Sequence, residues 1–78
     1  MQPGPVDEMF QCPITQDIMR DPVIAGDGYT YDRSAIESWF KSKSTSPMTN
    51  EVLTHKQLIP NNVLRSRILE CYPHLGNQ

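Results

Sequence analysis

Four side chains in this sequence are of types that could do nucleophilic or metal chemistry: Cys12, Cys71, His55 and His74, the only thiols and imidazoles in the chain. Zinc sites are built from closely spaced ligand pairs such as Cys-x-x-Cys or His-x-x-x-His. No such pair occurs, so no paired-ligand zinc site is expected, and neither is a cofactor. A single site drawing on all four residues is not suggested by their spacing. Cys12 and Cys71 stand near opposite ends of the chain. One disulfide between them is compatible with the sequence, but two cysteines without a secretion signal are more often free thiols of a reducing compartment. Cys12 as a nucleophile, or Cys71 paired with His74, would make a thiol enzyme. The spacing supports this poorly, since His74 follows Pro73 near the chain end and a lone cysteine is more often a small buried apolar residue.

The composition bounds what remains. Seventy-eight residues make one domain, and 37% apolar with 21% charged residues is a globular composition. The net charge of -2 and the scarcity of Lys and Arg argue against nucleic acid as a partner, because that binding draws on cations against phosphates. No apolar run approaches the ~18 residues of a membrane-spanning helix, so no membrane partner is expected. Met1-Gln2-Pro3-Gly4-Pro5 has neither the basic residue nor the apolar stretch of a signal peptide. A chain this short rarely draws more than a few kcal/mol from one core and usually carries disulfides or a metal. With neither indicated, hydrogen-bonded polar networks are left to hold the loops.

The elements that must position these residues follow from local pattern. Residues 1–7 read as a flexible lead-in, the end of a linker, and residues 74–78 as a tail, which leaves a domain over 8–73. Met9 and Phe10 begin the packed region. Cys12 to Pro22 has no helical period and reads as an ordered loop. Val23-Ile24-Ala25 and Tyr29-Thr30-Tyr31 read as two strands, joined by Gly26-Asp27-Gly28 in a hairpin with a bulge. Asp32 offers an N-cap to a helix, with Ser34 and Glu37 as an alternative capping box. Ala35, Ile36, Trp39 and Phe40 form its apolar stripe, and it ends near Lys41 to Lys43. Residues 42–50 form a second long loop, whose only bulky apolar points are Pro47 and Met48. Val52-Leu53 and Leu58-Ile59 read as a short strand and a turn. Pro60 prepares a second helix, capped by Asn61 or Asn62 and stopped before Pro73. Tyr31, Ile36, Phe40, Leu53, Leu58, Ile59, Leu64 and Ile68 are assigned to the core. The chain reads as free of internal repeats. Two long loops on so small a core point to function in the loops.

These residues also resemble a known family. Phe10-Gln11-Cys12-Pro13-Ile14-Thr15-Gln16-Asp17-Ile18-Met19-Arg20-Asp21-Pro22-Val23 looks like the opening of a U-box, as does Gly28-Tyr29-Thr30-Tyr31-Asp32-Arg33 followed by Ile36 and Trp39. Ser46-Pro47-Met48-Thr49-Asn50 resembles its second loop, and Leu58-Ile59-Pro60-Asn61 with Leu64-Arg65 and Ile68 its closing segment. The resemblance runs in order from Met9 to Glu70. It implies an α+β fold, a small zinc-free RING-like U-box with two long loops, a β-hairpin, a central helix and a C-terminal helix. It also implies ubiquitin ligase activity: binding of a ubiquitin-conjugating enzyme charged with ubiquitin, and transfer to a substrate lysine without a covalent ligase intermediate. The protein substrate would be recruited by regions outside this chain. U-boxes occur as monomers and as homodimers. Ubiquitin chemistry implies an intracellular location, cytoplasmic or nuclear.

The resemblance assigns roles residue by residue. Ile14, Trp39 and Pro47 fall at the positions that contact the conjugating enzyme, with Gln16 as a polar contact at the rim. Read without the family, Ile14 suits core and contact equally, Trp39 suits the core, and Pro47 stiffens a loop. Related ligases often use an arginine just after the second loop to hold ubiquitin. Asn50 stands there, with two amide donors but no charge and less reach. It is the candidate catalytic residue, with a turn residue as the plainer reading. The departure from arginine keeps a non-catalytic interaction or scaffold module as the alternative function. Loop rigidity without metal falls to Asp17, Asp21, Asp32 and Arg33, with Ser46 and Thr49 across the fold. Six of the nine acidic residues precede Arg33, so loop-to-helix pairing is available. The expectation is that Arg33 or a second-loop hydroxyl ties back to Asp17 or Asp21.

Overall fold

Short-range chemistry sets the centre of the fold. A computed structural model describes residues 8–77, so the lead-in expected over 1–7 lies outside the described residues. Strand β1 (Pro22–Ile24) pairs antiparallel with β2 (Thr30–Asp32), with Val23 opposite Tyr31. The turn between them closes when Gly28 N–H donates to Ala25 O and Ala25 N–H donates to Tyr29 O, both at 3.0 Å. Gly28 has φ 83°, the left-handed conformation that glycine adopts without a Cβ penalty. This is the bulged hairpin that the Gly-Asp-Gly segment predicts.

Helix α1 (Arg33–Phe40) follows β2 directly. Asp32 holds the N-cap position with extended backbone, but its side chain does not cap the helix. Its Oδ1 instead accepts the Asp21 N–H at 3.2 Å, so this carboxylate is spent on holding the first loop. Helix α2 (Asn62–Cys71) starts as expected: Asn61 Oδ1 accepts the Leu64 N–H at 3.2 Å. The Asn61 amide also donates to Thr30 Oγ1 at 3.3 Å, fastening α2 to the hairpin. Short 3₁₀ turns at Glu8–Phe10 and Pro73–Asn77 flank these elements.

The sheet has a third strand. β3 (Ile59–Pro60) pairs antiparallel with β1, giving the order β2-β1-β3. The sequence reading makes Leu58-Ile59 a turn and Pro60 the lead-in to the helix. Proline lacks an N–H and is tolerated here because β3 is a two-residue edge strand. The same edge position corrects the core assignment of Ile59, which is 62% exposed. Leu53 is only half-buried, and Val52 is exposed in an isolated bridge to Thr45.

The core consists of Phe10, Cys12, Met19, Val23, Ala25, Tyr31, Ile36, Leu64 and Ile68. Phe40, Leu58, Trp39 and Ile14 pack partly buried against it. Both cysteines are free, Cys12 buried and Cys71 exposed. No helix of the described residues is long and apolar enough to cross a membrane.

Candidate protein-docking surface

The two long loops share one backbone pattern, although the sequence shows no internal repeat. Cys12-Pro13-Ile14-Thr15-Gln16-Asp17 and Ser46-Pro47-Met48-Thr49-Asn50-Glu51 match in side-chain class at every position, although only Pro and Thr are identical. Each run is framed by one antiparallel bridge, Gln11 to Ile18 and Thr45 to Val52. In the first loop, Gln16 N–H donates to Cys12 O at 2.6 Å and Cys12 N–H to Asp17 O at 2.9 Å. In the second, Asn50 N–H donates to Ser46 O and Ser46 N–H to Glu51 O, both at 2.8 Å. Thr15 Oγ1 accepts the Asp17 N–H as Thr49 Oγ1 accepts the Glu51 N–H. Gln16 and Asn50 are the two described non-glycine residues with positive φ, at 64° and 67°. Two identities in six residues are too few to show as a repeat in sequence; the shared backbone bonds make the likeness visible.

The first residue of each run ties its loop to the β1–β2 hairpin. Cys12 Sγ accepts the Asp32 N–H at 3.3 Å. Ser46 is buried, and its hydroxyl donates to Asp27 Oδ2 at 2.5 Å while accepting the N–H groups of Met48 and Thr49. Tyr31 O–H donates to the same Asp27 oxygen at 2.7 Å, and Tyr29 N–H to its Oδ1 at 2.9 Å. Burial alone would push the Asp27 carboxyl up, but the hydrogen bonds from Ser46, Tyr31 and Tyr29 outweigh it and hold the carboxyl below its ordinary range. Burial, then the bond to Asp27, pushes the Tyr31 phenol well above its ordinary value. The second-loop hydroxyl therefore reaches Asp27, rather than Asp17 or Asp21. Asp27 escaped the sequence reading because Gly-Asp-Gly already explains it as a turn.

Arg33 Nε bonds Asp21 Oδ2 at 2.8 Å, and the Arg33 N–H bonds Asp21 O at 2.9 Å. The bond to Asp21 holds the guanidinium above its ordinary value. Asp17 is exposed, and its side chain makes no hydrogen bond or ion pair among the described residues. Also among the described residues, no group of three or more His, Cys, Asp or Glu is placed to hold a metal ion.

The remaining site residues lie on the two loops and on α1. Ile14 and Pro47 are half-buried on the first and second loops, and Trp39 is half-buried on α1. Trp39 Nε1 donates to Thr45 O at 2.7 Å, which pins the indole to the second loop. Gln16 and Asn50 are exposed at equivalent bends. An open depression lined by Gln11, Cys12, Pro13, Gln16 and Met48 brings the two loops together. Met48, 48% exposed, belongs to this surface. Its signal was its standing, beside Pro47, as the only other bulky apolar residue of its loop. Cys12 contributes no reactive thiol, being fully buried in the core.

Two hydrogen-bonded loops that carry half-buried apolar side chains, a short antiparallel sheet and two helices make up this small domain. Residues 6–73 match the U-box domain profile, and the chain belongs to the U-box family, which is generally linked to ubiquitin ligation. It is 60% identical over 62 residues to U-box domain-containing protein 70 of Oryza sativa subsp. japonica, covering 78% of this chain and 8% of that protein. It is 52% identical over 61 residues to U-box domain-containing protein 35 of Arabidopsis thaliana, covering 78% and 7%. It is also 52% identical over 64 residues to the human WD repeat, SAM and U-box domain-containing protein 1, covering 81% and 13%. The chain thus spans only a small part of the length of these curated relatives.

Proposed function

We propose that this U-box is the ligase module of a ubiquitin-transfer reaction. It binds a conjugating enzyme that carries ubiquitin as a thioester and promotes transfer to a substrate lysine. The lysine amine attacks the thioester carbonyl, the conjugating enzyme's thiolate leaves, and ubiquitin never bonds to the ligase. Ile14, Trp39 and Pro47 make the apolar contact and Gln16 a polar one at its rim. The Asn50 amide restrains ubiquitin, so that the carbonyl is presented to the amine; the acceleration comes from orientation. The substrate is recruited outside this chain, and the chemistry belongs to the cytoplasm or nucleus.

The observation that supports this reading is the pair of hydrogen-bonded loops, the second of them pinned to the Trp39 indole through Thr45 O. The same backbone hydrogen bonds close each loop, around Ile14 in the first and Pro47 in the second, so a preformed loop backbone loses little ordering entropy on docking. The buried Cys12 thiol speaks against the thiol-enzyme alternative. The test is discharge of ubiquitin from a panel of charged conjugating enzymes onto free lysine. The wild-type domain should accelerate discharge, and Ile14→Ala and Trp39→Ala, confirmed to be folded, should each lose ~10-fold or more in binding. Binding without acceleration by any enzyme would make this a non-catalytic module, with the uncharged Asn50 as the first suspect.

A further inference from the structure

The C-terminal end of α1 carries a cluster of cations with no acidic partner among the described residues. Lys41 is the helix C-cap, Lys43 follows two residues on, and Lys56 reaches back from the segment before β3. Lys56 Nζ donates to Phe40 O at 3.2 Å and lies 5.6 Å from the Phe40 ring centroid. Lys43 Nζ lies 4.6 Å from the centroid of the Trp39 ring. The two ion pairs among the described residues are Arg33–Asp21 and Arg67–Glu70, so none of these three lysines is matched by a carboxylate.

Lys43 is held in place by its backbone. The chain wraps round Trp39 as it leaves the helix: the Lys43 and Ser42 N–H groups both donate to Trp39 O, at 3.1 and 3.3 Å, and Thr45 O accepts the indole N–H. This wrap sets the ammonium over one face of the indole. An ammonium over an aromatic ring gains strength when a partner excludes water from it. It also presents one unneutralised positive charge at the edge of an otherwise apolar contact.

We infer that Lys43 is a specificity-determining residue for the conjugating enzyme, selecting those that place an Asp or Glu beside the Trp39 contact. The inference rests on the ligase reading above. An acidic side chain there completes the ammonium's coordination while Trp39 covers its other side. A conjugating enzyme with Lys or Arg at that place meets like charge and is disfavoured. Lys41 lies outside the Trp39 wrap and serves as the control.

The test is titration of the intact domain with conjugating enzymes that carry either an acidic or a basic residue at that edge, at low and high salt. The proteins are wild type, Lys43→Gln, Lys43→Arg and Lys41→Gln, with thermal unfolding run in parallel. Lys43→Gln should weaken binding of the acidic-edge enzymes by roughly 5- to 10-fold and flatten its salt dependence. Lys43→Arg should stay within about 2-fold of wild type, because it keeps both the charge and the stacking. Lys41→Gln should change little. Three results would overturn the inference: binding within about 2-fold for Lys43→Gln, an equal loss for the acidic-edge and basic-edge enzymes, or a loss in Lys43→Arg as large as in Lys43→Gln. In each of these the wild-type domain still binds, so the ligase reading stands. If the wild-type domain binds no conjugating enzyme at all, both fall together.

Discussion

Ser46 and Arg33 both bond an aspartate, and their surroundings make the two bonds unequal. The Arg33–Asp21 pair is open to solvent, with side chains 35% and 48% exposed. Ion pairs of this kind contribute about 0–1 kcal/mol because water screens them and two side chains must be ordered. The Ser46 hydroxyl is 1% exposed and serves three groups: the Asp27 carboxylate, which accepts from it, and the amides of Met48 and Thr49, which donate to it. Ser46→Ala leaves all three short of a partner in a part-buried site, at a cost of about 1–3 kcal/mol. Arg33→Ala should cost clearly less, because water screens the pair. Urea unfolding of the two variants measures the difference, and equal costs would mean that water replaces the Ser46 hydroxyl. The sequence shows that aspartates and hydroxyls are available, but not which ones meet. The Asp27–Ser46 bond spans 19 residues and depends on where the second loop folds back.

The hairpin, both helices and the Asn61 cap were legible because each is set by neighbours within a few residues. β3 was not, since its two residues have no pattern of their own and become a strand only by lying against β1. The likeness between the loops was hidden for a related reason. It lies in backbone bonds and in the left-handed residues Gln16 and Asn50, and different side chains can satisfy those demands. Glutamine pays about 1–2 kcal/mol for left-handed backbone, whereas asparagine tolerates it. Gln16→Gly should therefore leave stability nearly unchanged, the relief of strain offsetting the greater freedom of glycine in the unfolded chain. A β-branched residue fits this region worst, so Gln16→Val and Asn50→Val should each lose more than ~1 kcal/mol. Asn50→Gly keeps the bend and removes the amide, which separates the two readings of that residue. Unchanged discharge in Asn50→Gly would make Asn50 a bend residue; slower discharge at unchanged binding would place its amide on ubiquitin.

Across the whole molecule, one carboxylate joins the hairpin to the second loop, so protonation there should be felt by the entire domain. A domain of this size has about 4–12 kcal/mol of total stability, and the loss of one buried polar connection is a sizeable part of it. The Asp27 carboxyl is held below its ordinary value, so the folded chain binds that proton less readily than the unfolded one. Its contribution is complete above about pH 4 and is lost as the pH falls through the folded value. The Tyr31 phenol is held above its ordinary value, so its contribution is complete below about pH 10 and fades as the pH rises beyond that. Stability should therefore be level through neutral pH with respect to this pair and decline at both ends. Asp27→Asn should lower the plateau and flatten the acid limb. Tyr31→Phe should flatten the alkaline limb and leave the acid limb in place, since Ser46 and the Tyr29 amide still bond the carboxylate. Denaturant midpoints measured from pH 2 to 11 would show this. An acid limb equally steep in Asp27→Asn and wild type would locate the sensitivity at other carboxylates and remove Asp27 as the link between the hairpin and the loop.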